Sequence, residues 1–165
     1  MTGRGRWVAA AAGVVLLAVL LTCYPTRTRQ VKRKLSALAS WVAKDGPEGN
    51  LAMASGASKA GEFFAPRVRV ESEAHDFSGE VSREDIQRWY VAGRARFATL
   101  RPKFYDAVVE FPAPDRAEVR ATLRLSGTTD GGDAVNETHE ITLSLTEGDA
   151  GWRVGRVALV QVLKR

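Results

Sequence analysis

The second half of this chain alternates, and that limits what it can become. Over residues 116–126, Ala117, Val119, Ala121, Leu123 and Leu125 fall on one side and Glu118, Arg120, Thr122 and Arg124 on the other. Over residues 136–146, Ile141, Leu143 and Leu145 oppose Thr138, Glu140, Thr142 and Ser144. Successive side chains of a strand point to opposite faces, so a two-residue period describes strands with one wet and one buried face. Residues 102–111 and 151–163 read the same way, and the connectors "FPAPDRA", "SGTTDGGDAVN" and "TEGDAG" are short and turn-forming. Four hairpin-linked strands follow. In the last of them Trp152 and Val154 share a face that strict alternation would also give to Arg156. A bulge near Gly155 is therefore expected, turning Arg156 out and bringing Val157 and Leu159 in.

One apolar sheet face must be covered, and the first half of the chain supplies helices to cover it. Residues 28–44 carry Val31, Leu35, Leu38 and Val42 at spacings of three and four, a helical stripe that Trp41 widens. "KDGPEGN", residues 44–50, stops it. Residues 51–64 predict a short or broken helix, because Gly56 and Gly61 each cost about 1 kcal/mol against Ala. "RVRVESEAHDF", residues 67–77, alternates as a strand, and Ser78-Gly79 reads as a turn after it. Ser82 with Asp85 three residues later forms a capping box. A long helix is expected from there to about Leu100, with Ile86, Trp89, Gly93, Phe97 and Leu100 on its apolar face. Arg83, Arg88, Arg94 and Arg96 are expected to be solvated. The class is α+β, N-terminal helices on a curved antiparallel sheet, in one domain over residues 26–165.

Residues 1–25 look different. Arg4 and Arg6 precede "WVAAAAGVVLLAVLLT", residues 7–22, which has no charge. A charged start followed by an apolar run is the layout of a signal or anchor. Leu20-Leu21-Thr22-Cys23 partly resembles the bacterial lipobox, which makes Cys23 a lipidation candidate. Thr22 is bulkier than the usual residue and favours a plain anchor. The membrane partner would be residues 7–24. The basic residues after the run favour a cytoplasmic domain by the positive-inside rule. The leader-like position favours export to the periplasmic or extracellular side, and export is the preferred expectation.

The order and spacing of elements from about Gln30 to Arg165 resemble the NTF2-like superfamily, with its SnoaL-like and ketosteroid-isomerase-like domains. The resemblance rests on "VKRKLSALASWVAKDG", on "FFAPRVRV", on "SREDIQRWYVAGRARFATL" and on "GWRVGRV". It implies a cone in which a curved sheet wraps a long helix around a pocket, and a homodimer through the outer sheet face. The superfamily holds isomerases and dehydratases alongside binding modules without catalysis, so the fold does not give the function.

Acid–base chemistry in such a pocket needs titratable groups on the inner face. Ala107, Val109 and Phe111 are expected inward together with Tyr105, which leaves Asp106 and Glu110 outward. Glu137 and His139 lie two residues apart beyond Ile141, so both can face the mouth. With Tyr105 they are the catalytic candidates for an isomerase or dehydratase; the plainer reading is a wet strand end. His75 and Asp76 point to opposite faces and make a poor dyad. The expected ligand pocket is Trp89, Phe97, Tyr105, Leu123, His139 and Ile141. A single cysteine and two histidines give no metal site, and no cofactor is expected. Lys and Arg number 24 against 19 Asp and Glu, too small a surplus for a nucleic-acid surface. The preferred function is a membrane-tethered, non-catalytic module of the cell envelope that binds a small apolar ligand or a protein partner.

Overall fold

The structure, a computed structural model, describes residues 26–72 and 77–160. The chain separates into two units, residues 1–30 and 31–165. Of the first, residues 26–30 are described. They begin a helix, the Gln30 amide donating to the Thr26 carbonyl at 3.1 Å. The apolar run 7–24, Cys23 and the His75–Asp76 pair lie outside the described residues. Among the described residues no helix is long and apolar enough to cross a membrane.

The elements are α1 (Arg27–Val42), α2 (Asn50–Ser58), α3 (Ala60–Phe63), β1 (Phe64–Ser72), β2 (Phe77–Ser82), α4 (Arg83–Arg96), β3 (Phe97–Ala113), β4 (Arg116–Thr129), β5 (Ala134–Gly148) and β6 (Gly151–Val160). They form helices and a single six-stranded sheet in the order β2-β1-β6-β5-β4-β3. The stripe on α1 buries Val31, Leu35 and Leu38. Val31 and Leu35 join the inward residues of β4, β5 and β6, including Ala117, Val119, Leu143, Leu145, Trp152 and Val154, in one core. Each buried aliphatic side chain of this kind contributes about 1.5–3 kcal/mol. The bulge expected at Gly155 is present. Ser144 pairs with Arg156 but Leu145 with Val154, which turns Arg156 out to Glu71 at 2.6 Å.

Three expectations need correction. The sheet is mixed, because β1 runs parallel to β6 while the other pairs are antiparallel. A parallel neighbour needs a long crossover, and the meander of β3 to β5 between them supplies it. Ser78-Gly79 is not a turn: it lies within β2, where Gly79 faces Val70 and Val81 faces Val68. Only Val81 of that strand is buried, too little for alternation to reveal it. Finally, α4 stops at Arg96. Phe97, Thr99 and Leu100 extend β3 by pairing with Thr129, Thr128 and Gly127, so tertiary pairing overrides helical spacing. A Cβ at Gly127 would come within 2.1 Å of the Thr99 carbonyl oxygen, so glycine is what admits this pairing.

Candidate ligand-binding site

A cavity of about 170 Å³ lies between α1 and the sheet. Leu38, Ala39 and Val42 roof it, one turn of α1 pointing down. Pro102 and Phe104 of β3, Leu123 and Leu125 of β4, and Ile141 and Leu143 of β5 form its floor, while Phe64 and Val157 complete the wall. Every lining side chain is apolar. Its size is close to that of an apolar cavity that takes up benzene.

The six residues expected to line a pocket separate in space. Leu123 and Ile141 line the cavity. Trp89 does not: it is 51% exposed and lines a cleft of about 220 Å³ with Trp41, Gly93 and Leu100. The reason is that α4 does not lie over the floor of β3 to β5. It packs beside α2, α3, β1, β2 and the start of β3, and α1 takes the place over the cavity. Phe97 belongs to β3, half-buried opposite Thr129. Tyr105 was expected inward and is 42% exposed instead. Asp106 adopts φ 52°, and the register slips by one residue between Tyr105 and Val108. This bulge reverses the phase of β3. Phe104 faces in before it and Ala107 after it, so Tyr105 sits outward opposite Thr122.

Glu137 and His139 keep the face expected of them, in register with inward Leu125 and Leu123. His139 Nε2 and Glu137 Oε2 are 3.0 Å apart. Neither lines the cavity, and Tyr105 lies on the opposite face of the sheet, so the three do not converge on one point. Asp106 and Glu110 face outward as expected, and Arg120 donates to Glu110 at 2.7 Å. Among the described residues no group of three or more His, Cys, Asp or Glu side chains could hold a metal ion.

The buried charges lie at the C-terminal end of α1. Arg94, expected to be solvated, is 6% exposed. Its Nη1 donates to the carbonyls of Trp41 (3.2 Å), Val42 (2.9 Å) and Ala43 (2.8 Å). These are acceptors that a helix end leaves unpaired. Its Nε donates to Glu48 Oε2 at 2.7 Å, and Nη2 reaches the other Glu48 oxygen. The cap is reciprocal: Lys44 Nζ donates to the carbonyls of Arg94 (2.8 Å) and Phe97 (2.6 Å) at the end of α4. The Arg94 hydrogen bond holds the Glu48 carboxyl below its usual range despite partial burial, and Glu48 in turn holds the Arg94 guanidinium charged. Tyr90 lies between Arg94, at 5.0 Å, and Trp41, which it stacks on at 4.5 Å, and burial raises its phenol. No feature of the sequence marks Arg94 out from its neighbouring arginines except position: it is four residues after Tyr90 on the buried side of α4.

On α4, Ser82 caps as expected. Its hydroxyl accepts from the Asp85 amide at 3.1 Å, and the Asp85 carboxylate accepts from the Ser82 hydroxyl and amide at 2.7 and 3.0 Å. The Ser82 hydroxyl and amide, followed by Arg88, bring the Asp85 carboxyl down to about 2.

Helices over one face of a mixed six-stranded sheet, with a cavity between, make this chain an example of the NTF2-like, cystatin-like fold. Solved structures share this fold. A protein from Kribbella flavida matches with TM-score 0.68 and 16% identity, over 82% of this chain and 90% of that one. A proposed dehydratase of the NTF2-like family from Streptomyces avermitilis matches with TM-score 0.62 and 16% identity, over 83% and 97%. An uncharacterised protein with a cystatin-like fold from Caulobacter vibrioides matches with TM-score 0.58 and 15% identity, over 81% and 89%. No family model matches the sequence, and neither does any curated protein. At such identities the likeness speaks for the fold alone.

Proposed function

We propose that this chain is a non-catalytic NTF2-like module of the cell envelope, tethered through residues 7–24, that holds a small apolar ligand. One observation carries the ligand half of this reading: every side chain around the cavity is apolar. Proton transfer needs a titratable group within reach of the substrate, and this lining offers none. An apolar molecule about the size of one aromatic ring matches the volume and loses nothing to unpaired polar groups. The tether half rests on the uncharged run after Arg4 and Arg6. A homodimer through the outer sheet face would set charged rows such as Glu110–Arg120 and Arg156–Glu71 against one another. Its affinity should then fall with salt in sedimentation, and a salt-independent dimer would point elsewhere.

Two measurements test the two halves separately. Benzene or toluene should raise the melting temperature of the full-length chain, and Ala39→Phe, which fills the cavity, should abolish the rise. A rise that survives Ala39→Phe places the ligand elsewhere. Cell fractionation should recover the full-length chain in the membrane, and Cys23→Ala should differ from it in intact mass only by the substitution itself. A lipid-sized mass on a chain that begins at Cys23 would replace the plain anchor with a lipoprotein, and a soluble chain would end the tether reading.

The hydrogen bond between His139 and Glu137 favours a second reading, an isomerase or dehydratase with that pair as its proton carrier. It predicts turnover of a carbonyl or hydroxyl substrate that Glu137→Gln removes. Turnover that the variant retains would end it.

A further inference from the structure

The cavity has a charged porch. A groove of about 560 Å³ runs between α1 and β3 and shares Ala39, Pro102 and Phe104 with the cavity lining. Where the cavity is wholly apolar, the groove is lined by Lys32, Ser36 and Ser40 of α1 and, along the sheet edge, by Arg101, Lys103 and Tyr105 of β3. It has no acidic residue in its lining. Among the described residues Lys32 and Lys103 have no ion-pair partner. Arg101 has one, Asp45 at 3.3 Å, with both side chains mostly exposed, and such a pair is worth little. In the sheet register Lys103 lies directly opposite Arg124, and like charges opposed across a ladder are unfavourable. Arg124 itself lines a neighbouring cleft and not the groove, so an anion on Lys103 at the sheet edge would offset only part of that repulsion.

We propose that the ligand is an amphiphilic anion: a carboxylate whose apolar end occupies the cavity and whose head lies in the groove on Lys32 and Lys103. This rests on the cavity reading and adds the head-group chemistry to it. Groove and cavity adjoin at Ala39, Pro102 and Phe104, and the α1 side chains over the groove, Ser36, Ala39, Ser40 and Ala43, are small. Arg101 and Tyr105, on the same edge strand, are placed to contribute further hydrogen bonds to a carboxylate.

Octanoate, octanol and octylammonium share one tail and differ in the head. They are titrated by calorimetry into the full-length chain in phosphatidylcholine nanodiscs, with empty discs as the blank. Octanoate should bind about tenfold more tightly than octanol, the size expected of a charge-assisted head contact, and octylammonium most weakly. The octanoate preference should shrink as salt rises. The Lys32→Gln/Lys103→Gln double variant should erase it and leave octanol affinity unchanged; both side chains are exposed, so its melting temperature should not move. Equal affinities for octanoate and octanol would overturn the anion and leave the cavity reading standing. A preference that the double variant keeps would overturn the assignment to these lysines. No binding of any of the three would overturn both readings.

Discussion

The side chains and the backbone carbonyls at the end of α1 meet the rest of the molecule in opposite ways. At Leu38, Ala39 and Val42 the helix looks down on apolar side chains and leaves a space. At its end, the carbonyls of Trp41, Val42 and Ala43 are filled by one buried guanidinium, which is itself clasped by Glu48. Space without polarity suits a guest that brings no charge into it. Charge without space suits a joint. In this molecule the buried ionic groups hold helices together, and the cavity is kept free of them. A perturbed carboxyl such as that of Glu48 would ordinarily draw attention as a reactive group. Here its partner also caps a helix, and the structural role accounts for the shift.

The joint breaks most expensively. Arg94→Leu should cost about 3–5 kcal/mol in urea unfolding, because it leaves Glu48 and three carbonyls unpaired in a largely buried place. A loss below about 1 kcal/mol would mean that water replaces the cap. On the other side of the comparison, Leu143→Ala should cost about 3 kcal/mol and enlarge the cavity. It should also tighten binding of larger apolar ligands in calorimetry, which no change at the joint should do. Gly56→Ala should cost about 1–2 kcal/mol, since a Cβ there would come within 2.3 Å of the Tyr90 hydroxyl and press on the Trp41–Tyr90 stack. Its ligand affinity should be unchanged.

Acid should loosen the polar parts before the apolar ones. The Asp85 carboxyl is held at about 2 against an ordinary 3.8, so its folded value is depressed. Its stabilisation is complete above the unfolded value and disappears as pH falls through about 2. Glu48 is shifted in the same direction by Arg94, so its contribution is lost with the same sign. Urea midpoints from pH 6 to 2 should show wild type above Asp85→Asn, the gap closing below about pH 4. A gap that persists at pH 2 would point to the side-chain amide itself. Smallest of all, Glu137→Gln should change stability by less than about 0.5 kcal/mol, as for an ordinary surface residue. The Glu137 side chain is 57% exposed.

Much of the floor of the cavity was legible in the sequence. Alternation placed Leu123, Ile141 and Leu143 inward, and the α1 stripe contained Leu38 and Val42. What was not legible was which helix would lie over that floor. Both α1 and α4 have apolar stripes, and only tertiary contacts choose between them. An α4 laid over that floor would have put Trp89 and Phe97 in the pocket. Tyr105 differs for a local reason: one residue at φ 52° reverses everything before it, and the only hint of it is that Asp106 is a type uncommon in strands and tolerant of positive φ. Arg94 was hidden because a buried cap and a solvated arginine are the same letter until the partner carbonyls arrive.

The central claim is that the space under α1 is a dry, apolar binding site. Crystals of the full-length chain soaked with iodobenzene test it directly through anomalous scattering. The iodine peak should lie between Leu38 and Val42 above and Phe104, Leu123 and Ile141 below. Ordered water in that space, or iodine bound only on the surface, would contradict it.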